Sequence, residues 1–402
     1  MTAESAFALT LLVLAYAVVS GIVVKWYVAP ALIFVVAGLG LGPFGLNVIE
    51  VDYDAGTFTI LAQLALTVIL FNQAAELDLR NVLRRGHFSL RLILVGIPLT
   101  LVMGTVTALL ILPVMPVWEA VCLAAIVAPS EVALIEALLE DRRIPESVRH
   151  AMSMESGCYD GFALAALFAG LALATDRSEA DTPGWGWFLI KAEFLSLGAG
   201  ALVGLLGGLA VASSYRRGWI SEIWAQLATL ALALLCFQVG EMFHGSGFVA
   251  AFAGGLAFAA LAQRSGAEVP HQVPDAAGHL LELLVFALFG GAAMIIAWRE
   301  ADWRVVLFAV TAVFVVRVVA VWLALLRTEM PVRSRLFIGW FGPRGIGTVV
   351  LGLLVVKEGA IEQIDLITQT VVVTVTLSLV VHSATAPLGI RFVQRDRLAP
   401  RH

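Results

Sequence analysis

Three carboxylates, two serine hydroxyls and a proline lie where a bilayer-spanning chain tolerates them least. Ala128-Pro129-Ser130-Glu131 and Glu155-Ser156-Gly157-Cys158-Tyr159-Asp160-Gly161 each sit inside an apolar run long enough to cross a membrane. A charge at mid-bilayer costs at least ~2.5–3.5 kcal/mol, so it faces the protein interior and has a partner or a task. Carboxylates, hydroxyls and freed backbone carbonyls are the hard oxygen ligands that alkali cations share with other hard cations. The stretch therefore reads as a cation site. Its candidate ligands are Asp160, Ser130, Glu131 and Ser156, with Glu155 beside them.

The elements that must position these groups are membrane helices. The chain has 402 residues, of which 60% are hydrophobic and 14% charged, with mean hydropathy +0.94. A soluble domain is about 45–50% apolar and about 25% charged. The apolar excess runs almost to residue 390, so the whole chain is an integral membrane protein. With one span per about 20 apolar residues, thirteen spans are predicted near 5–25, 28–48, 56–75, 88–113, 117–139, 149–174, 187–212, 220–242, 245–263, 279–297, 304–326, 334–357 and 364–389. Twelve remain if the spans flanking the short Glu241–Gly245 turn are counted as one. The N-terminus lacks a basic segment and reads as a first span, not as a cleaved signal. Arg80, Arg84, Arg85, Arg142, Arg143, Arg216, Arg217, Arg264, Arg333, Arg335, Arg397 and Arg401 collect on one side. Arg177, Lys191, Arg299, Arg304 and Lys357 lie on the other. The positive-inside rule puts the N-terminus outside and the C-terminus in the cytoplasm of a cell membrane, most simply a bacterial inner membrane. A short tail, 391–402, follows the last span.

The exclusions are equally direct. No basic stripe addresses nucleic acid. No phosphate-binding G-x-x-x-x-G-K-[ST] loop is present, so a gradient and not ATP supplies energy. No cofactor is implied, and the chain reads as a transporter and not an enzyme. Cys122, Cys158 and Cys236 have no metal-type spacing and read as small buried residues.

Depth singles out a group of residues. Ser130, Glu131, Asp160, Arg317 and Arg344 all fall within a few residues of their span centres. Pro129 removes a donor and should unwind span five; Phe341-Gly342-Pro343-Arg344-Gly345 should do the same to span twelve. Unwound backbone at this depth lines a cavity or packs on protein. Paired Gly/Pro interruptions in spans two and nine, and five and twelve, point to an inverted-repeat transporter. Each charge also has a structural reading. Asp160 or Glu155 could serve only to pair Arg344. Glu131 is a ligand, a second proton carrier or a helix-end acid. Arg317 neutralises charge where the unwound spans meet. Glu136, Asn72, Gln73, Glu76 and Asp78 read as facing water near span ends, His382 as a satisfied interior histidine, and His244 as part of a short outer turn.

At these residues the chain resembles the NhaP-type cation/proton antiporters of the monovalent cation/proton antiporter superfamily. The resemblance rests on Ala128-Pro129-Ser130-Glu131-Val132, on Glu155-Ser156-Gly157-Cys158-Tyr159-Asp160-Gly161 and on Gly342-Pro343-Arg344-Gly345. It extends to the glycine-rich stretches of spans two and nine. It implies an all-α membrane protein of about thirteen helices, with two inverted repeats, crossing unwound helices and the NhaA-like antiporter fold. It also implies a homodimer, with a dimerisation part near 1–75 and 187–297 and a core near 88–174 and 304–390. Asp160 would hold either a proton or a monovalent cation, Na+ first, K+ or Li+ next. Glu155 and Arg344 would form an ion pair beside the site, with Pro129, Pro343, Tyr159 and Arg317 shaping it. Exchange would be alternating-access and electroneutral. Tyr159 stands where the family pattern has asparagine, and Glu131 where it has aspartate. Both changes alter the cage, so ion choice does not carry over. The competing functions are a proton-uncoupled channel or sensor on the same scaffold, and an organic-cation/proton exchanger.

Overall fold

The computed structural model describes residues 2–49, 56–77, 87–131, 134, 139, 141–178, 185–265, 272–358 and 361–398. The expectations for Asp78, Arg80, Arg84, Arg85, Glu136 and Arg401 lie outside the described residues, as do those for the side chains of Arg177, Arg264, Lys357 and Arg397. The described elements are α1 (Ala3–Val23), α2 (Pro30–Leu41), α3 (Gly56–Glu76), α4 (His87–Ile111), α5 (Val117–Val127), α6 (Glu146–Ser178), α7 (Trp185–Arg216), α8 (Glu222–Met242), α9 (Gly247–Ser265), α10 (Gln272–Ala292), α11 (Met294–Glu300), α12 (Trp303–Ala324), α13 (Val332–Trp340), α14 (Ile346–Glu358) and α15 (Ile364–Leu398).

Among the described residues nine helices are long and apolar enough to cross a membrane. The shorter apolar helices α2, α5, α9 and α14 fall in the second, fifth, ninth and twelfth expected spans. Large apolar side chains on the outer faces, such as Leu110 and Met242, are exposed as lipid-facing residues must be.

Two groups of helices emerge from the packing. α2, α3, α7, α8, α9 and α10 pack mainly on one another. In lipid no hydrophobic force drives helices together, so small residues that permit close backbone approach decide the contacts. A Cβ on Gly290 of α10 would meet the Val35 backbone of α2, and one on Gly204 of α7 the Gly254 backbone of α9. The second group is α4, α5, α6 and α12 to α15, with α5 against α4 and α6, and α12 against α13 and α15.

The second group contains four irregularities. α4 has a wide π turn at Leu92–Gly96 and α12 another at Thr311–Val316. α5 stops at Val127, two residues before Pro129. α13 stops at Trp340 and α14 begins at Ile346, with Pro343 between them. The tenth span differs from the sequence expectation: α10 starts at Gln272, with Pro274 in its first turn, where proline is tolerated. The last span differs too. α15 continues to Leu398, and Asp396 accepts bonds from Ser334 N and Oγ at 3.0 and 2.9 Å. The segment expected as a tail therefore packs, as far as it is described, on α13.

Candidate functional site

The two breaks cross, and each satisfies the other. The amide of Glu131 donates to the carbonyl of Pro343 at 2.8 Å. Arg344 Nη1 donates to the carbonyls of Ala128 and, at 2.9 Å, Pro129. These acceptors lie at the C-terminal end of α5, where the helix leaves carbonyls without intrahelical donors and carries partial negative charge. The reverse holds at α14. The carboxylate of Glu131 lies against Gly345, and its Oε2 is 3.4 Å from Gly347 N. Glu131 thus faces the positive N-terminal end of α14. The prolines break the helices, and the charged residue beside each proline neutralises the opposite helix end.

Ser156 on α6 ties the third element in. Its Oγ donates to the carbonyl of Ser130 at 2.7 Å, which leaves the hydroxyl oxygen's lone pairs for another partner. Asp160 lies one helical turn further along α6, half-buried. Its Oδ1 lies 3.5 Å from the position a Cβ on Gly347 would take. Asp160 therefore faces the start of α14, beside Glu131. No lysine or arginine pairs with Asp160 among the described residues.

The ion pair expected between Glu155 and Arg344 is corrected by the structure. Glu155 pairs with Arg317, Nη1 to Oε1 at 3.0 Å and Nη2 to Oε2 at 3.2 Å, with both side chains buried. Arg344 is occupied by the α5 carbonyls, and its own amide donates to Ser378 Oγ at 2.8 Å. Arg317 follows directly on the π turn of α12 and packs against Gly342, where any Cβ would collide with its guanidinium. Glycine in the break is what lets this arginine reach Glu155. Tyr159 is fully buried and packs with Ile93, Ile97 and Ala128, behind the site and away from its opening.

A cavity of about 320 Å3 reaches Ser156 and Gly157. Its other wall is α3 and α10, with Asn72, Gln73, Glu76, Asp275 and Glu282. Glu76 is exposed, as its span-end position suggested, and Gln73 is half-buried, whereas Asn72 is buried against the expectation of a water-facing residue. Glu282 is 3% exposed and lies within electrostatic reach of Glu131. Sequence reasoning missed it, because a span beginning near 279 makes it look like a mouth residue. Reading the helix back to Pro274 would have moved it inward. Ser378 was also missed, having no signal beyond its depth. His382 is satisfied as expected: Nε2 lies 2.8 Å from the Trp340 carbonyl and Nδ1 3.0 Å from Ser378 Oγ. Cys122 and Cys236 are buried, Cys158 half-buried, and all three are free thiols.

The arrangement offers carboxylate, hydroxyl and carbonyl oxygens around Asp160 and Glu131, neither of which has a basic partner among the described residues, at a crossing of broken helices. That is a polytopic helical membrane protein of the cation/proton antiporter fold. The chain belongs to the sodium/hydrogen exchanger family, whose transmembrane profile matches residues 8–390. It is 25% identical over 378 residues to a probable Na+/H+ antiporter of Schizosaccharomyces pombe, covering 86% of this chain and 49% of that protein. It is 23% identical to the K+/H+ antiporter NhaP of Alkalimonas amylolytica, covering 80% and 55%. The chain spans about half the length of the curated relatives it matches. Its fold is similar to that of the sodium proton antiporter MjNhaP1 from Methanocaldococcus jannaschii, with TM-score 0.78, 19% identity and 97% of both chains covered.

Proposed function

We propose that this chain exchanges a monovalent cation for protons across the membrane by alternating access, with Asp160 binding one or the other. The observation that carries this reading is the state of Asp160: a half-buried carboxylate at mid-membrane with no basic partner among the described residues. Such a group cannot remain both charged and bare at low dielectric cost. A proton or a cation must neutralise it, and the two compete. Ser130, Glu131 and Ser156 supply the neighbouring oxygens. Sodium is the first candidate, with potassium and lithium next; relatives named for sodium and for potassium exchange support that range.

Glu155 is neutralised by Arg317; with Glu131 keeping the same protonation state throughout, one proton exchanges for one cation without net charge movement, whereas a proton released from Glu131 as well makes the exchange electrogenic. The two helix groups support an elevator-like motion in which the group carrying Asp160 slides against the group of α2, α3 and α7 to α10, which also forms a homodimer. π turns in α4 and α12, and breaks after α5 and before α14, are what two inverted repeats would produce. The cavity opens to the cytoplasm, with the N-terminus outside, in a cell membrane.

Proteoliposomes loaded with a pH-sensitive dye test the reading. An imposed sodium or potassium gradient should drive proton movement that is independent of membrane voltage. Asp160→Asn should abolish it while the protein still elutes as a folded dimer. Exchange that survives in Asp160→Asn would overturn the assignment, and voltage dependence would remove the one-for-one stoichiometry.

A further inference from the structure

The two helix groups are also joined away from the site, by a link from the turn before α2 to the turn before α6. Tyr27 Oη donates to Asp141 Oδ2 at 2.7 Å and accepts from Arg143 Nη2 at 2.9 Å. Arg143 holds Asp141 in a fork, Nε to Oδ1 at 3.0 Å and Nη2 to Oδ2 at 2.7 Å. The pair is thus fixed by itself, and the tyrosine reaches across to it. Beside this contact the amide of Ala29 donates to Ser383 Oγ of α15 at 3.4 Å. The Tyr27 ring packs on the buried cluster that includes Ile144, Val148 and Ile390. Its backbone has φ +56°, in the left-handed region that a bulky side chain adopts only at a cost. Residues held there persist where their surroundings over-determine them, and they gather at switch regions.

We propose that Tyr27, Asp141 and Arg143 form a latch between the two helix groups, which holds the arrangement with the cavity open and parts each time the site crosses. The latch presupposes the proposed sliding of one group against the other. Its two ends lead to the parts that slide. Tyr27 lies just before α2, and α2 is seated on α10, where a Cβ on Gly38 would collide with the Ala287 backbone. Asp141 and Arg143 lie just before α6, the helix that carries Ser156 and Asp160. The cavity touches the first half of the same helix, at Ser153, Met154, Ser156 and Gly157. The bonds are well aligned but not deeply buried: the Arg143 side chain is 44% exposed and that of Asp141 11%. Ion pairs this open to water are weak. Water replaces the lost partner when the tyrosine leaves, so the latch can part on every cycle without stranding a buried charge. It sets how long the cavity stays open, and so how fast the site departs.

The double variant Tyr27→Cys with Asp141→Cys, joined by a short bifunctional methanethiosulfonate reagent in proteoliposomes of the full chain, tests whether the contact parts. Exchange should stop in the joined protein and return when the linker is reduced. The two single variants, treated alike, control for the native thiols. Tyr27→Phe keeps the ring and its packing and removes only the hydroxyl. It should raise the maximal exchange rate by up to ~5-fold, the range set by bonds to partly exposed ion pairs. A tyrosine that merely supported the fold would lower the rate along with the stability. Exchange at the unlinked rate in the joined protein, or a Tyr27→Phe rate no higher than that of the wild type, overturns the latch. Failure of the sliding itself shows separately. Glu76 and Ser153 are exposed and line the cavity from α3 and α6. Exchange that also survives the same linker between Glu76→Cys and Ser153→Cys would show that the groups do not slide, whereas exchange blocked there and surviving the 27–141 link would remove the latch alone.

Discussion

Breaking the Arg317–Glu155 pair is the sharpest test of how the site is held. Both side chains are nearly inaccessible, at 1% and 2% exposure, and two hydrogen bonds join them at 3.0 and 3.2 Å. Removing one member leaves the other as an uncompensated buried charge, which costs ~3–5 kcal/mol. Replacing both by apolar side chains of similar volume removes the desolvation cost together with the attraction and is often close to neutral. Arg317→Met and Glu155→Leu should therefore each lower unfolding free energy by ~3–5 kcal/mol, while the double variant loses far less than their sum. The same cycle with Arg344→Met and Glu155→Leu should show clearly weaker coupling than the 155–317 cycle, because Arg344 is hydrogen-bonded to the α5 carbonyls and not to Glu155. The assay is the intrinsic fluorescence of the ten tryptophans during denaturant titration in detergent, with monodispersity checked by size exclusion. Strong coupling between positions 155 and 344, with additivity between 155 and 317, would refute the assigned pairing and the account of the α5 end built on it.

Two further perturbations separate steric from electrostatic roles. Gly345→Ala should slow exchange at least ~10-fold while Gly347→Ala has a milder effect, since an added methyl at 345 runs into the Glu131 carboxylate, whereas at 347 it meets Asp160 Oδ1 at an ordinary 3.5 Å; equal rates in the two variants, measured by the same dye assay, would contradict this. On the arginine-rich side, Arg143, and after it the Tyr27 hydroxyl, hold the Asp141 carboxyl well below its usual range, through bonds of 2.7 Å from Arg143 Nη2 and 2.7 Å from Tyr27. A depressed acid contributes stability above its unfolded pKa of about 3.9 and loses it as pH falls through the folded value. The stability gap between wild type and Asp141→Asn, followed through the melting temperature, should thus be small, below ~1 kcal/mol for a partly exposed pair, and flat from about pH 5 to pH 9, closing only in stronger acid. A gap that varied across neutral pH would show that another group controls this contact.

Much of the molecule was legible in the chain because the relevant physics is local or depends on depth alone. Twenty apolar residues mark a span wherever they pack. Pro129 and Pro343 break their helices regardless of neighbours, for want of a donor and for a clash with the preceding turn. The desolvation cost of a charge at mid-bilayer brings Ser130, Glu131, Asp160, Arg317 and Arg344 into one layer however the helices pack. Depth does not fix azimuth or partner. Arg317 and Arg344 lie at the same level, and both could face Glu155. Only the crossing of the breaks, which turns Arg344 to the carbonyls of Ala128 and Pro129, and the absence of a Cβ at Gly342, which admits Arg317, decide between them. Glu282 shows the same limit from another side. Its place opposite Ser156 depends on α10 packing against α3, a contact between segments some two hundred residues apart, as the Asn72–Asp275 bond also is. The sequence alone determined the membrane setting, the breaks and the layer of charges, because one-body energies set them. Tertiary structure decided which opposite charges meet and which acids are left without a basic partner, because those are pairwise energies that exist only once the helices have docked.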